Sequence, residues 1–201
     1  MKKPTEERDP SVKINAGAIF PYDVLKSLSN GLHDVADAQW NALPKYLEGS
    51  DEKMIVVADV SGSMTSPVSQ GTTALTVCIS LAMYLAEHLE GPFKDTFITF
   101  SERPELQILK GSLSQKVNQL ETASWTMTTN LEAVFDMILN KAVQHSVPES
   151  EMPTKILIIS DMEFNSCVSD HSNFTSIQKK YKLAGYKMPG VVFWNVNNRN
   201  E

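Results

Sequence analysis

The sequence predicts an α/β domain: a Rossmann-like, doubly wound and mostly parallel sheet with one antiparallel strand. Three observations lead there. Two runs, Met54-Ile55-Val56-Val57-Ala58 and Ile156-Leu157-Ile158-Ile159, are continuously apolar and rich in β-branched residues, as strands buried on both faces are. Both runs end in acids, Ala58-Asp59 and Ser160-Asp161. Between and around them, segments of helical spacing alternate with strand-like ones, which implies crossover connections and helices on both faces of one sheet.

Taken in order, residues 1–13 are polar and contain prolines, a composition that predicts an extended or frayed start. Pro21 opens a helix carrying Val24, Leu25 and Leu28, and a second helix over 32–43 carries Leu32, Val35, Ala36 and Trp40 before Pro44 breaks it. Residues 1–50 therefore form an N-terminal extension with two short helices, an appendage to the domain at 51–201. The first buried strand ends at Asp59. A Ser/Gly/Thr/Pro loop follows, then a long helix near 72–89, stopped by Gly91-Pro92. Asp95 to Phe100 reads as a strand, and Leu106-Gln107-Ile108-Leu109 as a short one joined to it by four residues, hence antiparallel. Helices follow at 114–120 and 130–144, the latter with Leu131, Val134, Phe135, Ile138 and Leu139 at helical spacing. After the buried strand at 155–160 come a helix from Phe174 to Ala184, capped by Gly185, and a last strand over Val191-Val192-Phe193-Trp194.

Length, charge and cysteine usage narrow the function classes. The 201 residues suit one domain, and a hydrophobic fraction of 42% supports a sizeable core. A net charge of -6 leaves no overall basic field for nucleic acid; the short runs Lys2-Lys3 and Lys179-Lys180-x-Lys182 read as solvated surface. Cys78 and Cys167 are far apart and make neither a disulfide framework nor a zinc site; Cys78 reads as a buried thiol. The N-terminus lacks the apolar core of a signal peptide, and no apolar run is long enough to span a bilayer. A cytoplasmic protein with no membrane association is the expectation.

The chemistry concentrates at the strand ends. Ligands of open α/β sheets gather outside the carboxyl ends of the strands, so Asp59 and Asp161 face one crevice if their strands are neighbours. Beyond Asp59, the turn Val60-Ser61-Gly62-Ser63-Met64 can aim hydroxyls at Ser61 and Ser63 to the same side, with Gly62 permitting the bend. Two carboxylates and two hydroxyls make an all-oxygen set of the kind hard cations take. On spacing alone, an equal alternative is that Asp59-x-Ser61 only caps a helix.

The string Asp59-Val60-Ser61-Gly62-Ser63-Met64 resembles the DxSxS signature of von Willebrand factor A-type domains, the first element of their metal-ion-dependent adhesion site. That family also supplies a Thr before a later helix and an Asp at the end of its fourth strand. Thr129, in Thr128-Thr129-Asn130-Leu131, and Asp161, in Ile158-Ile159-Ser160-Asp161, match in order and context. The resemblance implies a Mg²⁺ site (Mn²⁺ or Ca²⁺ being alternatives) on Asp59, Ser61, Ser63, Thr129 and Asp161. In the family the Ser and Thr hydroxyls ligate directly or through water, the acids act through waters, and an open position accepts an Asp or Glu from a protein partner. Thr128, adjacent to Thr129, is the alternative ligand; Thr129 is favoured because it immediately precedes Asn130-Leu131. Glu163 reads as a solvated loop acid.

A narrower resemblance covers most of the chain. Ala18-Ile19-Phe20-Pro21, Gly91-Pro92-Phe93-Lys94, Ile98-Thr99-Phe100-Ser101, Ser160-Asp161-Met162-Glu163-Phe164 and Val192-Phe193-Trp194-Asn195-Val196 are similar to an uncharacterised family of plants, bacteria and large viruses. Its members carry an A-type domain in their C-terminal part. The A-type domain of the Ro ribonucleoprotein, which accompanies an RNA-binding helical-repeat ring, is a more distant relative. Such proteins continue past the position of Asn200 with another strand and helix, so the resemblance implies a domain truncated at its C-terminus, its last strand at a sheet edge.

The expected function is thus a cation-dependent protein-binding module. Catalysis is not expected: a phosphatase would want an Asp where Ser61 stands, and a serine hydrolase a GxSxG elbow with a positioned His. His33, His88, His145 and His171 show no ligand spacing, and Trp125, Met152, Met162 and Met188 read as packing residues. An RNA-associated role by analogy with Ro is the alternative, weakened by the acidic charge and by the lack of an aromatic-basic patch. A structural domain with an empty site is the third reading.

Overall fold

Successive side chains of a strand leave its two faces in turn, and in this protein both faces are covered. The computed structural model describes residues 19–47, 52–69, 71–101, 103–123, 130–162 and 171–197. Strand β1 (Met54–Asp59) sends Val56 and Ala58 to one face and Ile55 and Val57 to the other, and all four are buried. Strands β4 (Thr96–Phe100) and β6 (Lys155–Ser160) flank β1 in parallel and divide in the same way. Phe97, Leu157 and Ile159 join the first core; Ile98, Phe100, Ile156 and Ile158 join the second. The five-stranded order is β5-β4-β1-β6-β7, with β5 (Leu106–Ile108) antiparallel to β4 and β7 (Gly190–Asn195) parallel to β6. This is the mostly parallel α/β sheet the sequence predicts.

The loop expected after β1 has more structure than its composition announces. A 3-10 turn over Gly62–Thr65 leads into a short antiparallel pair, β2 (Pro67–Ser69) and β3 (Thr72–Thr73). Helix α3 consequently starts at Ala74, two residues later than its apolar spacing suggests, capped by Thr73, whose Oγ1 accepts the Thr76 amide at 3.2 Å. Gly62 does not act as expected. Its backbone lies outside the left-handed region, and an added Cβ would meet nothing within 4 Å. The bend does not need glycine.

Helix α3 (Ala74–His88) carries no charge before Glu87 and buries residues around most of its circumference. A helix apolar on all sides has to be covered on its outer side as well as against the sheet. Helices α1 (Pro21–Ser29) and α2 (His33–Asn41) provide that cover: Val24, Leu25, Ala36 and Trp40 share one buried cluster with Cys78, Ala82 and Met83. Trp40 Nε1 donates to Glu87 Oε2 at 2.7 Å, and Lys116 of α4 (Leu113–Glu121) pairs with the other oxygen of Glu87 at 2.7 Å. The Tyr84 hydroxyl donates to the Pro44 carbonyl and accepts the Tyr46 amide, tying down the chain beyond α2. Helices α1 and α2 thus share one buried cluster with α3.

The other face is closed by α5 (Leu131–Gln144) and α6 (His171–Leu183). Leu131, Val134, Phe135 and Ile138 bury against Ile55, Val57 and Ile158, while Ile177 and Tyr181 bring in α6. The Tyr181 hydroxyl donates to the Phe135 carbonyl at 2.9 Å, and Lys180 pairs with Glu132 and Asp136 across the two helices. Gly185, at φ 81°, ends α6 in the left-handed conformation that glycine adopts without strain. Among the described residues, no helix is long and apolar enough to cross a membrane.

Candidate metal centre

The site begins with strand register. Parallel pairing aligns β1 with β6, so that Ala58 opposes Ile159 and the two acid-bearing ends emerge side by side. Asp59 shares the parity of Ile55 and Val57, whose side chains face α5, and Ser160 shares that of Ile156 and Ile158. The two residues meet: Ser160 Oγ donates to Asp59 Oδ2 at 2.6 Å. The other carboxylate oxygen, Oδ1, accepts the Ser61 amide at 2.9 Å, which fixes the start of the turn. One turn later, the Ser61 and Ser63 hydroxyls lie 3.1 Å apart.

Asp161 leaves the end of β6 with its amide directed to Met64 Sδ at 3.2 Å, so the 3-10 turn after β1 and the end of β6 are locked together. Met162 then adopts φ 64°, a left-handed backbone uncommon for a side-chain-bearing residue, and its amide donates to Ser160 Oγ at 3.0 Å. Strain of this kind persists only where surrounding contacts impose it.

Electrostatics set this corner apart. Asp59 is 1% exposed and Asp161 5%. Burial pushes the Asp59 carboxyl above its ordinary value; hydrogen bonds from Ser160 and Ser61 pull it back, and the charge of Asp161 adds to the rise. Among the described residues, the neighbours that act on Asp59 are hydroxyls, a backbone amide and a second carboxylate, with no basic side chain among them. Buried carboxylates so placed are costly unless a cation compensates them. The donors present, two carboxylates and two hydroxyls, fit a hard divalent ion that keeps part of its water. Among the described residues, no three His, Cys, Asp or Glu side chains gather as a ligand group.

Of the five residues singled out in the sequence, four are brought to this corner: Asp59, Ser61, Ser63 and Asp161. Thr129, its alternative Thr128, Trp125 and Glu163 lie outside the described residues. Asn130, the next residue along the chain from Thr129, caps α5, its Oδ1 accepting the Ala133 amide at 3.0 Å. Ser160 is the residue sequence reasoning missed. A serine immediately before the strand-ending acid, one position out of phase with it, was the available signal; its partner on β1 became visible only with the register.

Other candidates resolve into packing. Cys78 is a buried free thiol donating to the Ile159 carbonyl at 3.3 Å, and its burial pushes the thiol far up from its ordinary range. Cys167 lies outside the described residues. His88 Nδ1 lies 2.7 Å from the Tyr84 carbonyl, with its ring stacked on that tyrosine.

Residues 53–201 match the model of a family described as a domain of unknown function (DUF7788). The chain belongs to that family. A viral relative, "Uncharacterized protein L728" of Acanthamoeba polyphaga mimivirus, is 34% identical over 195 residues, which cover 94% of this chain and 33% of the viral protein. This DUF7788 chain therefore spans about a third of the length of that relative. Among solved structures, the Ro (RSR) protein of Deinococcus radiodurans superimposes with a TM-score of 0.54 at 16% identity, over 92% of this chain and 39% of the Ro chain. At that identity the likeness shows the fold, and the fold is von Willebrand factor A-like.

Proposed function

We propose that this DUF7788 domain is a binding module that holds one divalent cation, Mg²⁺ in the first instance and Mn²⁺ or Ca²⁺ in its place, and offers it to a protein partner. Asp59, Ser61, Ser63, Thr129 and Asp161 would hold the ion. The bound ion would supply an electrophilic position that an Asp or Glu side chain of the partner completes. The observation that carries this reading is the buried Asp59 carboxylate, which feels the charge of Asp161 and has hydroxyl and amide donors around it among the described residues.

The chain's own residues divide the work. Ser160 and the Ser61 amide grip one oxygen each of Asp59, so its carboxylate is pre-oriented. The Ser61 and Ser63 hydroxyls are within hydrogen-bonding distance of one another and can turn together towards a ligand. The Met64 sulfur fixes the backbone that carries Asp161. The role proposed is recognition, with no bond made or broken.

Calorimetric titration of Mg²⁺ and Mn²⁺ into metal-stripped protein tests the proposal, with Asp59→Ala as control. One saturable site, lost in the variant, is the expected result. Absence of binding to the wild-type chain would remove the claim that these five residues suffice for an ion.

A further inference from the structure

The edge strand β5 is covered unequally on its two faces. Antiparallel register sets Leu106 opposite Ile98 and Ile108 opposite Thr96, so both apolar side chains share the sheet face on which Ile98 meets the α5 cluster. Gln107, between them, turns to the other face, where Gln119 of α4 donates to its side chain at 3.2 Å. Leu106 and Ile108 are less well covered, at 42% and 53% exposed. A hollow of about 350 Å³ opens there between β5 and the second half of α5. Its walls include Ile55, Phe93, Leu106, Met137, Ile138 and Met152. Ile55, Ile138 and Met152 are buried members of the second core, so the floor of the hollow is the core itself.

Three titratable side chains line the same hollow: Lys141, His145 and Glu151. Lys141 and His145 stand four residues apart at the end of α5, a spacing that brings side chains together on one helix face. Among the described residues, neither has a carboxylate in ion-pair range, Glu151 included. Glu151 belongs to the 3-10 turn Glu149–Glu151 and is exposed. An ammonium group brings three N–H donors and an imidazole at least one, whichever tautomer it adopts. An apolar floor with adjacent donors on one wall is a surface of two chemistries.

We propose that this hollow binds a medium-chain monocarboxylic acid, its alkyl chain on the apolar floor and its carboxylate on Lys141 and His145. Small-molecule pockets are mostly apolar, with a few polar groups that fix orientation, and usually enclose about 300–1,000 Å³. This hollow is at the small end of that range, which suits one short chain. The charge of the ligand follows from the donors: a carboxylate gains charge-assisted hydrogen bonds, an alcohol gains weaker ones, and a cation is repelled by Lys141. The hollow takes Ile55 from the start of β1 and Met152 from the turn before β6. It is therefore at the opposite end of these strands from Asp59 and Asp161 and does not depend on a cation there.

Calorimetric titration of octanoate, decanoate and dodecanoate into the full chain, below their micellar concentrations, tests this. EDTA is kept present, so that no ion at the strand-ending acids can take the carboxylate. One saturable site is expected, tightening about threefold to fourfold for each added methylene until the hollow is full. Decanol should bind about tenfold more weakly than decanoate, and decyltrimethylammonium more weakly still. Lys141→Gln/His145→Gln should remove that preference, Met137→Trp should fill the hollow and abolish binding, and Lys45→Gln/Lys182→Gln should change nothing. A thermal melt of each variant separates lost binding from lost fold. No saturable binding, an unchanged affinity in the folded Met137→Trp protein, or an unchanged preference in the folded double variant would overturn the proposal. Decanol binding as tightly as decanoate would also overturn it, in favour of an uncharged apolar group such as a partner's side chain.

Discussion

Ser160 Oγ donates to Asp59 Oδ2 across 2.6 Å, joining the carboxyl ends of two adjacent parallel strands through side chains that are 0% and 1% exposed. The same hydroxyl accepts the Met162 amide, so one oxygen orients the carboxylate of one strand and the turn that leaves the other. Ser160→Ala would remove both bonds and leave Asp59 with its bonds from Ser61. Losing a buried hydrogen bond to a carboxylate costs about 1–3 kcal/mol. Groups that orient a ligand typically change metal affinity by about 10–100-fold. We expect a lower urea midpoint and weaker Mg²⁺ binding in this variant, with Ser160→Thr restoring part of both. Unchanged Mg²⁺ affinity in a folded Ser160→Ala protein would deny the hydroxyl its positioning role.

The raised carboxyl of Asp59 has a definite pH signature. Between the ordinary carboxylate value and the raised one, the folded chain binds the proton and the unfolded chain has released it. This group's contribution to stability is therefore full below the ordinary value and is lost as pH rises through the raised one. Asp59→Asn removes that loss. Without metal, the variant should melt above wild type at neutral pH, by about 2–4 °C for each kcal/mol relieved, and the gap should close on acidification. Melting curves of the two proteins across a pH series, with EDTA throughout, check it. A variant less stable than wild type at neutral pH would show that the hydrogen bonds to Asp59 outweigh its burial.

Added Mg²⁺ should reverse that ranking. Binding to the folded state alone raises stability with ligand concentration, so wild type should gain melting temperature while Asp59→Asn does not. Thr129→Ala should lose most of the same gain and Thr128→Ala should keep it. The opposite result for the two threonines would move the ligand by one position; equal gains in all variants would mean that the ion acts elsewhere.

Helices α1 and α2 should prove necessary for the domain, although the family match begins at residue 53. Trp40 is buried on the outer side of α3 and hydrogen-bonded to Glu87. Truncating such a side chain to alanine costs about 3–5 kcal/mol. We expect Trp40→Ala to lower the urea midpoint sharply and a chain lacking residues 1–50 to aggregate, because the outer side of α3 would face water. A soluble, cooperatively unfolding truncation would contradict this packing.

Most of the architecture was legible because each strand and helix announces its own burial. The unbroken apolar runs of β1 and β6 suit strands covered on both faces, and the spacing in α5 suits a helix with one buried side. The pair β2–β3 was not legible: two or three residues per strand carry no periodicity, and their pairing rests on backbone bonds. Nor was the outer cover of α3, although its uncharged circumference was a sign that one sheet face would not be enough.

The sequence by itself determined the α/β class, the strand-ending acids and the candidate set Asp59, Ser61, Ser63, Thr129 and Asp161, since these rest on local patterns and on motif order. Tertiary structure decided that Ser160 grips Asp59 and that the N-terminal helices close over α3. Each of these joins residues far apart in the chain, and only strand register and helix packing determine which distant side chains meet.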